Sequence, residues 1–253
     1  MKIAVLVKQV PDTWGERRID SSTGRLDRAA GDAVVDEIDE RALEVALQYK
    51  DSTGSEVVAV SVGPADAKDV LRKALAMGAD SAIHVLDDGL VGADVLQTSR
   101  ALAAAIRKLA PDLVIAGNES TDGRGGVVPA MIAEALGQPS VTFLGSVDIT
   151  EDSVSGTRSD EYGSTVLRAS LPAVVSVTEG SAEPRFPNFK GIMSAKKKPL
   201  EVWSIGDLAV DATTATTVLS VTERPARTAG TKIVDKGDAG QQLADFLAAG
   251  HLI

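Results

Sequence analysis

The chain has 253 residues and no cysteine, which excludes disulfides, thiolate metal sites and cysteine nucleophiles. Such a composition fits a reducing compartment. Histidine is almost as scarce, with only His84 and His251. Aromatic residues make up 3% of the chain, so a core must be built from Val, Leu, Ile and Ala. Positive charge is also in short supply. A formal net charge of −10 argues against nucleic acid as a partner, because neutralising phosphates needs a broad basic face. No run approaches the ~20 apolar residues that a membrane-spanning helix needs. The apolar start of "MKIAVLVKQVPD" ends at Lys8 and Pro11, too short for a signal peptide. The expectation is a cytoplasmic protein with no membrane span.

What the chain does have is alternation. "KIAVLV" (2–7), "EVVAVSV" (56–62), "SAIHVL" (81–86) and "DLVIAG" (112–117) are short apolar runs of the kind that form buried strands. Between them lie helical patterns at 36–50, 65–78 and 91–110, and a fourth follows at 127–137. Acids crowd the start of the first (Asp36, Glu37, Asp39, Glu40), where the helix dipole favours them. Strands without polar alternation, separated by helices, predict an α/β fold with a doubly wound, mostly parallel sheet. After residue 140 the texture changes. "SVTFLGSVDI", "STVLRASL" and "AVVSVTEG" read as extended strands with hairpin-like connections, and "DEYGS" as a turn. From about residue 184 the chain reads as irregular, with one helix expected at 238–249.

Open parallel sheets bind ligands beyond the carboxyl ends of their strands. Three loops qualify: Val7 to Trp14, Val62 to Pro64, and "AGNESTDGRGGVVP" from Ala116 to Pro129. The third leaves a strand and enters a helix, its glycines permit close backbone approach, and the helix start offers unpaired N–H groups. It is neither a GxGxxG fingerprint nor a P-loop. By pattern alone it is either a phosphate-binding loop or a flexible glycine-rich turn. No catalytic constellation appears at informative spacing. His84 falls in a strand and His251 in the terminal tripeptide, and the acids of 36–40 read as helix-capping groups before they read as metal ligands.

One stretch stands out against the acidic background. "RFPNFKGIMSAKKKP" (185–199) carries five positive charges, no acid and two of the four phenylalanines. A nucleic-acid patch, a structural strap and a dock for a protein partner are the competing readings. The first is weak in so acidic a chain.

Several motifs, in order, resemble the β subunit of electron-transfer flavoprotein, in its actinobacterial branch. They are "VKQVPDT" (7–13), "DEIDERALE" (36–44), "VSVGPADA" (60–67), "ALAMGAD" (74–80), "VIAGNESTDGRGG" (114–126), "LPAVVSVTEGSAEPRFPNFKGIMSAKKK" (171–198) and "TAGTKI" (228–233). The resemblance spans essentially the whole chain. It implies an adenine-nucleotide α-hydrolase-like domain over 1–183 with late antiparallel strands, a recognition loop and short helix over 184–198, and an arm over 199–253 that packs on an α subunit. It implies an electron carrier subunit rather than an enzyme. The β subunit would bind a structural AMP, and the α subunit would hold most of a redox-active FAD. Electrons would come from acyl-CoA and other flavin dehydrogenases and go to a quinone-reducing oxidoreductase.

The AMP contacts implied are Leu6, Asp36, Glu37, Ile38, Asp39, Val62, Gly117, Asn118, Glu119, Ser120, Thr121, Asp122, Gly123, Arg124, Gly125, Gly126, Val127 and Val128. The partner contacts implied are Phe189, Ile192, Met193, Lys196, Lys197 and Lys198, with Phe189 standing where the family usually has an anchoring leucine. Two departures matter. Relatives often carry a bulkier polar run where this chain has "GRGGVV", and some carry an aromatic residue near the flavin where this chain has Thr13, with Trp14 next to it. An electron-bifurcating subset of the family holds a second FAD in place of AMP. The alternative from another class is a stand-alone adenine-nucleotide-binding protein of the stress-protein type, which would need neither a partner nor an arm. An adenylating synthetase would want a pyrophosphate-binding signature, which is missing.

Overall fold

The computed structural model describes residues 1–253 except 16, 212, 223, 227 and 228. Thr228, the first residue of "TAGTKI", therefore lies outside the described residues. The chain divides into two compact units, 1–219 and 220–253.

The first unit opens with β1 (Lys2–Leu6), buried from Ile3 to Leu6. The polar segment that follows is folded back on itself as two small antiparallel ladders. One joins β2 (Gln9–Pro11) to β5 (Ala33–Val35), and the other joins β3 (Ile19–Asp20) to β4 (Arg25–Leu26). Helix α1 (Glu37–Thr53) starts where the Asp36 side chain accepts the Ile38 N–H, and it stops at Gly54 in the left-handed conformation. Then come β6 (Glu56–Val62), α2 (Lys68–Met77), β7 (Ser81–Val85), α3 (Val95–Leu109), β8 (Leu113–Gly117) and α4 (Val128–Leu136). α3 begins later than the periodicity predicts, because Asp94 caps it by accepting the Gln97 N–H. A short 3-10 turn, Asp88–Leu90, occupies part of the preceding segment.

The late strands differ from expectation in an informative way. β9 (Ser140–Leu144) and β13 (Ala173–Val177) join the main sheet as parallel strands. Only β10 (Ser146–Ile149), β11 (Ser153–Asp160) and β12 (Gly163–Ser170) form a separate antiparallel sheet, with the turn at 161–162 where "DEYGS" places it. Composition explains the split. β13 is apolar apart from Ser176 and buried at every position, as a covered parallel strand requires, whereas β12 is mostly exposed. After helix α5 (Phe189–Ala195), β14 (Leu200–Trp203) adds a further parallel strand beside β7, in a segment that reads as irregular by sequence.

The main sheet has seven parallel strands in the order β14-β7-β6-β1-β8-β13-β9. Ile3 and Val5 of β1 face the layer of α1 and α2, with Leu43, Leu47, Leu71 and Leu75. Ala4 and Leu6 face α3 and α4, with Leu102, Ile106 and Ile132. Covering both faces makes the fold doubly wound. Strand order reverses around β1, which sits between β6 and β8, and this is the kind of position where such sheets open a ligand crevice.

The second unit carries α6 (Ala239–Ala249), close to the helix expected at 238–249, and none of its described residues is buried within the chain. Among the described residues, no helix is long and apolar enough to cross a membrane.

The basic stretch is strapped to the first unit on its inner side. The Arg185 guanidinium donates to both carboxylate oxygens of Glu44 (2.7 and 2.9 Å) and to Asp51 (2.9 Å). Hydrogen bonding to Glu44 raises its pKa further above its already high value. Glu44 is buried, so the guanidinium compensates a carboxylate that would otherwise lie unpaired inside the protein. Gly191 lies so close to α2 that an added Cβ would overlap the Ala76 carbonyl. The Lys198 ammonium donates to the carbonyls of Leu75 (2.9 Å) and Ala79 (2.6 Å), and burial lowers its pKa.

Candidate functional site

The carboxyl ends of β1, β6 and β8 open into one cleft with a cavity of about 160 Å3 that continues into open solvent. Its floor is made by Leu6, Val7, Lys8 and Asp39 near β1, by Val60 and Val62 of β6, and by Ala116 and Gly117 of β8. Thr98 and Leu102, four residues apart on one face of α3, form a wall. Val128 and Pro129 in the first turn of α4 form another, and Asn118, Glu119, Ser120, Gly125 and Gly126 make the rim.

The glycine-rich loop takes this path for steric reasons. A Cβ at Gly117 would come within 2.6 Å of Asp39 Oδ1, so only glycine lets the strand end meet α1 so closely. Gly126 adopts a φ of 67°, a left-handed conformation that turns the loop into α4.

The acids at the start of α1 hold this loop from behind. Asp39 is buried; its Oδ2 accepts the Lys8 N–H (2.8 Å) and its Oδ1 the Gly117 N–H (3.0 Å). A single carboxylate therefore ties the chain just after β1 to the end of β8. Burial, and then the neighbouring Asp36 charge, push the Asp39 carboxyl well above the usual carboxylate range, while the two N–H donors and the Lys8 charge act the other way. Asp36, besides capping α1, accepts both the N–H (2.6 Å) and the hydroxyl (2.7 Å) of Thr121. The Lys8 ammonium donates to Ser120 Oγ (3.0 Å) and Asp122 Oδ1 (2.7 Å). Burial alone would raise the Asp122 pKa, but the Lys8 charge and hydrogen bond outweigh it and the net shift is downward. Arg17 adds bonds to the Thr121 carbonyl and hydroxyl, linking the loop after β2 to the same rim.

The residues singled out by sequence thus divide in two. Leu6, Asp39, Val62, Gly117, Asn118, Glu119, Ser120, Gly125, Gly126 and Val128 line the cleft. Asp36, Thr121, Asp122 and Gly123 shape the loop from outside the lining, and Gly123 donates its N–H to Asp122 Oδ1. Glu37 is exposed, and Ile38 is buried against Gly117. Arg124 pairs with Glu119 at 3.3 Å, and Val127 borders a separate shallow groove between α3 and α4. Sequence reasoning missed Arg17, Thr98 and Leu102 altogether, while Lys8 and Pro129 fall in loops it singled out without being among the implied contacts. The spacing of Thr98 and Leu102 on the helix after β7 is the signal that could have found two of them.

The cleft offers apolar walls, a glycine rim and the first turn of α4, where the Val128 and Ala130 N–H groups have no partner within the helix and Pro129 has none to offer. Asn118 is buried, and its Oδ1 has no hydrogen-bond partner among the described residues. That acceptor, together with cations already engaged by Asp122 and Glu119, suits a flat polar ligand whose anionic end is met by backbone donors. His84 lies outside the lining, buried with Nε2 3.1 Å from the Gly63 carbonyl oxygen.

The residues expected to meet a partner cluster separately. Phe189, Ile192 and Met193 of α5 are exposed, Phe189 to 80%, and Phe186 before it to 93%. Lys196 and Lys197 are exposed beside them. Lys198 parts from them, since its ammonium is turned inward onto the last turn of α2 and the Ala79 carbonyl just beyond it.

Comparison with known proteins identifies the family. The model of the electron transfer flavoprotein domain matches residues 23–208. The chain is 48% identical to the electron transfer flavoprotein subunit beta of Mycobacterium tuberculosis, covering 99% of each chain. It is 39% identical to the protein of the same name from Clostridium acetobutylicum, over 83% of this chain and 81% of that one. It is also 37% identical to the caffeyl-CoA reductase-Etf complex subunit CarD of Acetobacterium woodii, over 83% of this chain and 80% of that one. The chain belongs to the electron transfer flavoprotein β-subunit family.

Proposed function

We propose that this chain pairs with an electron transfer flavoprotein α subunit and binds AMP in the cleft beyond β1, β6 and β8. The α subunit would hold the FAD, which supplies the redox chemistry when bound. The observation that carries this reading is the cleft itself, above all the buried, unpartnered Asn118 Oδ1 beside a glycine rim and a helix start. In this role Asn118 receives a hydrogen bond from the ligand, while Gly125, Gly126 and Val128 present backbone to its phosphate. Glu37 and Arg124 would stay at the margin.

Electrons would enter from acyl-CoA dehydrogenases and similar flavin enzymes and leave to a quinone-reducing oxidoreductase. The exposed Phe189, with Ile192 and Met193, would dock the dehydrogenase, and Lys196 and Lys197 would steer acidic partners toward it. Of residues 199–253, those after β14 would serve as the arm toward the α subunit, since β14 itself belongs to the main sheet. In favour of a covered arm, Leu219, Leu243, Phe246, Leu252 and Ile253 are all exposed within this chain. The same exposure speaks against a stand-alone nucleotide-binding protein. Co-expression with an α subunit should give a stable complex that carries flavin absorbance. A chain that stays monomeric beside its α subunit, or a complex without flavin, would refute the reading.

A further inference from the structure

Phe143 stands in β9 with a φ of 61°, a left-handed conformation that a bulky residue adopts only against a steric cost. The sheet shows what this conformation does. Val141 and Leu144 both belong to the core layer under α1 and α2, although they are three residues apart. Strict alternation would have put Val141 and Phe143 on that face together. Instead the register between β9 and β13 shifts between Val175 and Val177, as in a β-bulge. The extra residue turns Phe143 out of the core, and the Phe143 N–H donates to the buried Ser176 Oγ at 3.0 Å.

The ring that leaves the core lands on the glycine-rich loop. Phe143 Cζ lies 3.4 Å from where a Cβ on Gly126 would stand. Gly126 lines the cleft and holds the left-handed turn by which the loop enters α4. Phe143 is 39% exposed, so it gives up burial as well as backbone comfort to be there. A residue that is strained, expelled from the core and packed beside one glycine of a ligand cleft is arranged for the cleft rather than for stability.

We infer that Phe143 is a positioning residue for the nucleotide cleft. Its ring backs Gly126 and fixes the aim of the N–H groups at the start of α4. The inference rests on the reading of the cleft as an AMP site. The test uses the purified complex with the α subunit, stripped of nucleotide and titrated with AMP. Phe143→Asn removes the ring and tolerates the left-handed backbone, while Phe143→Tyr keeps the ring. Phe143→Asn is expected to weaken AMP binding about tenfold, the equivalent of about 1.4 kcal/mol. Its melting temperature should stay level or rise, and Phe143→Tyr should bind within about twofold of the parent. Unchanged affinity in Phe143→Asn would overturn the inference. So would a fall in melting temperature that matches the loss of affinity, or dissociation of the complex with AMP affinity intact. If the parent complex itself binds no AMP, the cleft reading fails first and this inference falls with it.

Discussion

Asp39→Ala is expected to empty the complex of its nucleotide and to cost the chain about 2–3 kcal/mol of stability. The reason lies in what the carboxylate joins. Lys8 follows the central strand and Gly117 ends its neighbour, and both N–H groups point at Asp39. Removing the side chain leaves two donors without acceptors in a buried site, at about 1–3 kcal/mol each. Relief of the desolvated charge offsets part of that, since burial already pushes the Asp39 carboxyl upward. Asp39→Asn is no rescue: its amide can accept from one N–H but turns a donor toward the other. Asp36→Ala should be milder for stability, about 1 kcal/mol for the lost helix cap. It would still free Thr121 and loosen the rim. Thermal melts, read beside the nucleotide content of the purified complex, check all three. An Asp39→Ala complex that melts normally and keeps its nucleotide would contradict this role.

Phe189→Ala is expected to act in the opposite way, leaving the fold alone and crippling exchange with dehydrogenases. A side chain 80% exposed contributes little to the stability of this chain. As the central apolar anchor of a docking surface, though, it would be worth 2 kcal/mol or more, roughly a 30-fold or larger loss in the second-order rate of reduction. Arg185, Gly191 and Lys198 hold the segment from beneath, so the surface should keep its shape in the variant. Flavin content and melting temperature should match the parent within error. A large loss of stability would instead assign Phe189 to the subunit interface or to packing.

Much of the fold was legible because buried parallel strands leave a plain trace. "EVVAVSV" and "DLVIAG" are apolar without alternation, and each is followed by a helix or by a glycine-rich turn into one. The strand ends then located the cleft before any side chain was placed. What stayed hidden depends on long-range geometry. Nothing local marks Lys8 as the partner of Asp122, which is 114 residues away. Nothing in "SVTFL" announces the bulge that expels Phe143, because the bulge is a mismatch with β13. The same limit hides how the acids at the start of α1 divide: Asp36 accepts from Thr121, Asp39 spans two strand ends and also lines the cleft, and Glu37 faces solvent. The lysine triplet shows it again, since Lys198 is distinguished from its neighbours only by the carbonyls of Leu75 and Ala79 that it meets.

The most direct measurement is the identity of the small molecules released when the purified complex is denatured and its extract analysed by mass spectrometry. If the cleft beyond β1, β6 and β8 is an AMP site, the extract contains AMP and FAD in equal amounts. FAD alone, in an amount equal to the protein, would contradict the AMP assignment, and FAD at twice that amount would put a second flavin in the cleft instead.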